Sequence, residues 1–274
     1  MSLENLSSLE DVAQALVATG KGILAADESG GTIKKRFDTI NVESTETSRR
    51  NYREFLFTAA AMEDFISGVI LFDETLRQSS AAGERLADLL RAKGVIPGIK
   101  VDKGAKPLAG AEAELVTEGL DGLRERLAEY AALGAQFVKW RAVISIGGEQ
   151  PHLLPSDYCI DANAHALARY AALSVEAGLV PIVEPEILMD GDHTIETSYA
   201  VTERVLTKVF ETLALHRVAP TQMLLKPNMV ISGYACASQA DAARVASETV
   251  RCLKATVPAG VPGIVFLSGG QSEA

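Results

Sequence analysis

Three pairs of charged residues stand two positions apart in or just after runs of apolar residues: Lys100 with Asp102, Lys139 with Arg141, and Glu184 with Glu186. Residues two apart on an extended chain project to one side of it, so each pair presents two charges to the same space. Asp27 and Lys226 stand singly at the ends of two further runs. A parallel strand buried on both faces holds charge only for a purpose. A lysine partly buried among other cations has its ammonium form disfavoured, and the free amine can then attack a carbonyl and form an iminium ion, which serves as an electron sink. Two carboxylates set close together, as Glu184 and Glu186 are, supply a proton acceptor poised near neutral pH through burial and mutual repulsion, whereas paired cations would hold both ionised. Spacing alone leaves Lys100, Lys139 and Lys226 equal candidates for the nucleophile. Any one pair reads equally well as surface charge at a strand end; repetition across five strands is what points to a site.

The elements that must carry these residues follow from periodicity. Short runs rich in Val and Ile at Ile23–Ala26, Gly68–Phe72, Val95–Val101, Gln136–Val143, Leu179–Val183, Met223–Leu225 and Gly263–Leu267 predict seven strands. Helical spacing predicts α-helices at Leu6–Ala18, Gly119–Ala132, Ala162–Glu176, Ile195–Ala214 and Ala240–Thr256, and Gly147–Pro155 reads as a loop. Strand and helix alternating in this way imply parallel strands with right-handed crossovers, in either an open doubly wound sheet or a closed barrel. At 274 residues the chain is near the length of one eight-stranded α/β barrel. In a barrel the C-terminal strand ends converge on one mouth, where Asp27, Lys100, Lys139, Arg141, Glu184, Glu186 and Lys226 would share a small volume.

Composition narrows the function classes. A net charge of -10 gives no electrostatic reason to bind nucleic acid or anionic lipid, so any affinity for phosphate must come from local cations. No apolar run is long enough to span a membrane and Met1–Glu10 lacks a signal-peptide layout, so neither a membrane association nor export is expected. Cys159, Cys236 and Cys252 are odd in number and lack the spacing of a disulfide framework or a zinc site, which fits a reducing cytoplasm. The segment Asp190-Gly191-Asp192-His193 looks metal-like, yet His152, His165, His193 and His216 show no ligand spacing; neither a metal nor another cofactor is expected, and His193 reads as a loop residue behind the site. Trp140, between Lys139 and Arg141, faces the other side of its strand and should pack against helices. Ser268-Gly269-Gly270, after the last run, is a turn whose amides and hydroxyl can cradle a phosphate.

Six segments in one order complete the pattern: Gly22-Ile23-Leu24-Ala25-Ala26-Asp27-Glu28-Ser29, Lys100-Val101-Asp102-Lys103-Gly104, Lys139-Trp140-Arg141, Val183-Glu184-Pro185-Glu186-Ile187-Leu188, Leu225-Lys226-Pro227-Asn228-Met229 and Phe266-Leu267-Ser268-Gly269-Gly270-Gln271-Ser272. Together they resemble class I fructose-bisphosphate aldolase, the metal-independent lyase of glycolysis. The resemblance implies a TIM (β/α)8 barrel and reversible cleavage of fructose 1,6-bisphosphate to dihydroxyacetone phosphate and glyceraldehyde 3-phosphate. It implies Lys226 as the Schiff-base nucleophile, Glu184 as the main proton shuttle, Lys139 as a charge-balancing cation, Asp27 as the group that orients the reacting hydroxyl, and Glu186 as a residue tuning that network. Ser268 and Gly269 are implied as ligands of the phosphate nearest the ketone. Lys100, Arg141, Thr32, Arg36 and Ser29 fall where the family gathers the other phosphate and the sugar hydroxyls; Thr32 replaces a residue often Ser there and keeps its hydroxyl. The family is commonly homotetrameric and cytoplasmic, and continues past Gln-Ser-Glu to an eighth strand and a C-terminal tail. Residues 1–274 are therefore expected to form a single β/α barrel domain that covers seven of eight strands and lacks the family's C-terminal part.

Overall fold

The computed structural model describes residues 6–148 and 153–266. In chain order its elements are α1 (Leu9–Leu16), β1 (Gly22–Ala26), α2 (Gly30–Asp38), α3 (Glu46–Thr58), α4 (Met62–Phe65), β2 (Ile66–Leu71), α5 (Asp73–Arg77), α6 (Leu86–Ala92), β3 (Ile96–Lys100), β4 (Ala105–Pro107), β5 (Leu115–Thr117), α7 (Leu123–Ala132), β6 (Phe137–Ile144), α8 (Asp157–Glu176), β7 (Val180–Ile187), α9 (Ile195–Leu215), the 3-10 turn Pro220–Gln222, β8 (Leu224–Leu225) and α10 (Ala242–Thr256). The main sheet runs β1-β2-β3-β6-β7-β8, and β4 with β5 forms a separate antiparallel pair. This is the α/β architecture that the alternation of strands and helices predicts.

The chain divides into two compact units, one made of Met1–Val101, Leu123–Lys139 and Ser174–Pro181, the other of Asp102–Gly122, Trp140–Leu173 and Ile182–Ala274. In the first, β1, β2 and β3 pair in parallel, and Lys100 of β3 stands in register with Lys139 of β6. The amide of Val180 donates to the Gln136 carbonyl at 3.1 Å and brings the start of β7 alongside. The core here is Leu16, Val69, Leu71, Ile96, Ile99, Phe137 and Val138, all essentially inaccessible. Two glycines make that packing possible. A Cβ on Gly98 would lie 2.4 Å from the Phe137 ring, and one on Gly68 would lie 2.6 Å from Leu16 Cδ2, so both strands leave the space that these side chains fill. The helix that supplies Leu16 is fixed at its start by a capping box, in which Ser8 accepts from the Asp11 amide and the Asp11 side chain accepts from Ser8 in return.

In the second unit Leu188 N donates to Ile144 O at 2.8 Å, aligning the ends of β6 and β7, and β8 pairs in parallel with β7 through Ile182 with Leu224 and Val183 with Leu225. Trp140 is fully buried, as its alternation predicts, and stacks on Tyr170 of α8 with ring centroids 5.5 Å apart. The Tyr170 hydroxyl donates to Ile182 O at 3.1 Å, and burial pushes its pKa well above the usual phenol value.

Several elements differ from the sequence reading, each for a local reason. The run at Gly263–Leu267 is reduced to a single parallel bridge, Leu225 with Ile264, and Leu267 lies outside the described residues. β8 stops after two residues because Pro227 follows Lys226 and has no N–H to continue the ladder. β7 continues through Glu184-Pro185-Glu186 to Ile187, so the two carboxylates sit inside a strand rather than beyond it. α7 starts only at Leu123, after Gly119 and Gly122 take positive φ, a conformation that glycine adopts without strain. α8 begins five residues before the expected Ala162, and the hairpin β4–β5 carried no periodic signal.

Two outcomes follow from this packing. Gly98→Ala should lower stability by roughly 1–3 kcal/mol, because the Phe137 ring must move out of a filled core; a thermal or denaturant melt showing no loss would contradict it. All three cysteines are free thiols, and burial pushes Cys159 and Cys252 up to about 11. At pH 8 iodoacetamide should therefore alkylate partly exposed Cys236 well ahead of the other two in folded protein, with the difference abolished in guanidinium, as read by peptide mass spectrometry.

Candidate active site

In the first unit the site residues gather at the ends of β1 and β3 and inside β6. Asp27 follows the last residue of β1, and its Oδ2 lies 2.5 Å from Nζ of Lys139, with both side chains about nine-tenths buried. Lys100 is the register partner of Lys139 across parallel strands, so both lysines point to the same side of the sheet. Like charges directly opposite are unfavourable, and the Asp27 carboxylate offsets that repulsion. The next residue, Glu28, is clamped. Buried Arg53 of α3 donates from Nε to Ala26 O at 2.8 Å and from Nη2 to Glu28 Oε2 at 2.7 Å, and Arg36 of α2 bonds the other Glu28 oxygen. Burial lowers the pKa of Arg53, and the neighbouring Glu28 charge works in the opposite direction.

α2 carries three predicted binding residues on one face. Ser29 is its N-cap, accepting from the Thr32 amide at 3.4 Å, and the Ser29 and Thr32 hydroxyls are 3.0 Å apart. Ser29, Thr32 and Arg36 stand at i, i+3 and i+7, which stacks them along a single helical stripe. The exposed end of Arg36 is thus held in place by Glu28 while its neighbours on the stripe are hydroxyls.

In the second unit the residue after β8, Lys226, is fixed by its backbone, whose amide donates to Val183 O at 2.8 Å. Its Nζ donates to Glu184 Oε1, and this pair is nearly buried, with the glutamate side chain 3% exposed and the lysine 12%. Arg141 of β6 pairs with Glu186 of β7 through Nε and Oε2. Burial is the largest influence and opposes the Arg141 charge, but the Glu186 hydrogen bond together with the charges of Glu186, Glu184 and Asp102 leaves the guanidinium pKa raised. Asp102 accepts from the Arg141 amide at 3.3 Å and from the Gly104 amide at 3.0 Å, and Thr117 Oγ1 donates to Arg141 O at 2.7 Å, so the strand around Arg141 is pinned from both sides. Asn228 accepts from Ile187 N at 3.4 Å and donates to Thr202 Oγ1 at 3.2 Å, tying the segment after Lys226 to β7 and α9.

Asp27 with Lys139, Lys226 with Glu184, Arg141 with Glu186, and Ser29 with Thr32 and Arg36 are therefore brought together as groups within their units. Ser268 and Gly269 lie outside the described residues. His193 is buried in the loop between β7 and α9, where burial lowers its pKa and its carbonyl accepts from Gly233 N at 2.8 Å. Among the described residues no three His, Cys, Asp or Glu side chains are grouped to hold a metal. Arg53, Glu28 and Asn228 were not singled out by sequence reasoning. Arg53 had a usable signal: it falls four residues before buried Phe57, on what is otherwise the apolar stripe of α3, and a cation there needs a buried partner.

The sequence model of the fructose-bisphosphate aldolase class-I family matches residues 8–274. A probable class 1 fructose-bisphosphate aldolase from Xanthomonas campestris is 59% identical over 273 residues, which is 100% of this chain and 80% of that protein. Fructose-bisphosphate aldolase 1 of Toxoplasma gondii is 53% identical over 273 residues, covering 100% of this chain and 75% of its own. Among solved structures, the fructose-bisphosphate aldolase of Plasmodium falciparum, crystallised with TRAP and a small-molecule inhibitor, superposes with a TM-score of 0.93 at 50% identity over 96% of this chain and 75% of that one. With strand order, paired strand-end charges and these likenesses in agreement, the chain belongs to the class I fructose-bisphosphate aldolases, lyases of the TIM-barrel fold.

Proposed function

We propose that this aldolase cleaves fructose 1,6-bisphosphate reversibly to dihydroxyacetone phosphate and glyceraldehyde 3-phosphate through a Schiff base on Lys226, with Glu184 carrying the protons. The observation that supports this most is the hydrogen bond between Lys226 Nζ and Glu184 Oε1 in a nearly buried pair. Lys139 is held by Asp27 in a similar buried pair, so the choice of Lys226 as nucleophile rests on the family motif Leu225-Lys226-Pro227-Asn228-Met229.

In the reaction, Glu184 takes a proton from the ammonium group, and the free amine adds to the ketone carbon to form a carbinolamine. Glu184 returns a proton to the departing hydroxyl, water leaves, and the iminium remains. Glu184 then accepts the proton of the C4 hydroxyl as the C3–C4 bond breaks; the bonding electrons move into the iminium to give an enamine, and glyceraldehyde 3-phosphate is released. The proton held by Glu184 is given to C3 of the enamine, and water hydrolyses the resulting iminium to free dihydroxyacetone phosphate and restore Lys226. Each step needs one acid or base that changes state and returns, and a carboxylate held against the reacting nitrogen meets that need.

The other roles follow the family pattern. Lys139 balances charge, Asp27 orients the reacting hydroxyl, and Glu186 holds Arg141. Lys100, Arg141, Ser29, Thr32 and Arg36 take one phosphate and the sugar hydroxyls; Ser268 and Gly269 take the phosphate nearest the ketone. Cations and hydroxyls are the donors that a phosphate requires in a protein whose net charge is negative. By the family pattern the working form is a homotetramer, and a cytoplasmic location is supported by relatives named cytosolic in Arabidopsis thaliana and cytoplasmic in Cicer arietinum.

Steady-state cleavage kinetics test this reading. Lys226→Met should lower kcat/KM for fructose 1,6-bisphosphate by on the order of 10^4-fold or more, because the covalent path is lost. Glu184→Gln should lower kcat by roughly 10^2–10^4-fold with little change in KM, the loss expected for a proton carrier. Turnover of fructose 6-phosphate as fast as the bisphosphate, or full activity in Lys226→Met, would contradict it.

A further inference from the structure

A cavity of about 690 Å³ opens in the first unit between the start of α3 and the end of α5, lined by Glu46, Arg50, Glu74, Arg77 and Gln78 among others. Its size is that of a small-molecule site. None of these side chains belongs to the catalytic groups described above. Two of its charges are already committed: Glu74 takes a two-pronged pair from Arg49 at 2.8 and 2.6 Å, and Arg77 pairs with Asp73 at 3.1 Å and Glu129 at 2.5 Å.

What remains has both signs. Gln78 is only 9% exposed, yet neither its Nε2 nor its Oε1 has a hydrogen-bond partner. Arg50 bonds Asn51 through Nη2, and its buried Nε lies 3.9 Å from Glu54 Oε2 without a hydrogen bond. Glu46 is exposed on the first turn of α3, and its charge acts on Arg49. Buried polar atoms left without partners are rare in folded proteins, because each forfeits the bonds it had in water. Here they form a complementary set. Arg50 Nε, the Gln78 amide N–H and the amide end of α3 are donors suited to a carboxylate. The Glu46 carboxylate and Gln78 Oε1 are acceptors suited to an ammonium group.

We propose that this cavity is a second binding site, separate from catalysis, for a small zwitterion of the α-amino acid class. A ligand with only one of the two charges would leave either the Glu46 carboxylate or the Arg50 and Gln78 N–H groups without a hydrogen bond, so both charges contribute to affinity.

The test is a thermal-shift titration, backed by calorimetry, of the full chain with L-serine and L-alanine as probes, and with propionate and propylamine as single-charge controls. The amino acids should give a saturable rise in Tm, and each control at least a tenfold weaker response. Gln78→Leu should abolish the effect, and Glu46→Gln, an exposed first-turn change that leaves the fold intact, should weaken it at least tenfold. Cleavage of fructose 1,6-bisphosphate should be unchanged in both variants, which also verifies folding and separates this claim from the catalytic one. Equal responses to propionate and serine, binding that survives in Glu46→Gln, or no response to either amino acid would overturn the proposal, the last leaving a cavity filled by solvent.

Discussion

A charge inside a parallel strand has no water to answer it, so it must be answered by an opposite charge on a neighbouring segment. That constraint organises this molecule. Lys139 in β6 is met by Asp27 after β1, Glu184 in β7 by Lys226 after β8, and Arg141 in β6 by Glu186 in β7. Removing one member of the buried pairs, Lys139 with Asp27 or Glu184 with Lys226, strands the other, typically at several kcal/mol, which makes each a structural commitment; the more exposed Arg141 and Glu186 are bound less strictly. The same commitment makes the chemistry available. A lysine held against a carboxylate in a dry setting is a nucleophile with its base already in place, and the reaction proceeds by moving a proton within a pair that folding assembled.

The surrounding scaffold serves to hold those pairs in register. β3 can approach β6 because Gly98 leaves room for the Phe137 ring, and that approach sets Lys100 opposite Lys139. In the second unit, Lys226 is placed by a backbone bond to Val183 rather than by its own side chain, so the amine can change bonding state while its anchor stays fixed. Arg53 does similar work around β1. By bonding both Ala26 O and Glu28, it fixes the chain on either side of Asp27 and, through Glu28, aims Arg36 along the hydroxyl-bearing face of α2.

Much of this was legible in the sequence. Alternating strands and helices gave the parallel sheet, and the i, i+2 spacing of Lys139 with Arg141 and of Glu184 with Glu186 placed each pair on one side of its strand with Trp140 on the other. Spacing left open whether Glu184 and Glu186 repel each other or are each met by a cation; the structure gives each a cation, and it took three dimensions to say which. Choosing Lys226 from three lysines also lay beyond spacing, since Lys139 and Lys226 each meet a buried carboxylate and only the family motif around Lys226 separates them. The cavity at Gln78 was invisible because it arises from packing between helices distant in sequence, and Arg53, although it stands on the apolar stripe of α3, shows its partners only in three dimensions. The run at Gly263–Leu267 read as a full strand from hydrophobicity alone, yet its described residues pair through one bridge, since a parallel strand is defined by its neighbours rather than by its own composition.

The central claim is that Lys226 forms the covalent intermediate, and the most direct measurement is to incubate the protein with dihydroxyacetone phosphate, reduce with borohydride, and locate the adduct by peptide mass spectrometry. The account predicts a stoichiometric reduced adduct on Lys226, with Lys100 and Lys139 unmodified. An adduct on either of those lysines instead, or none in folded protein, would contradict it.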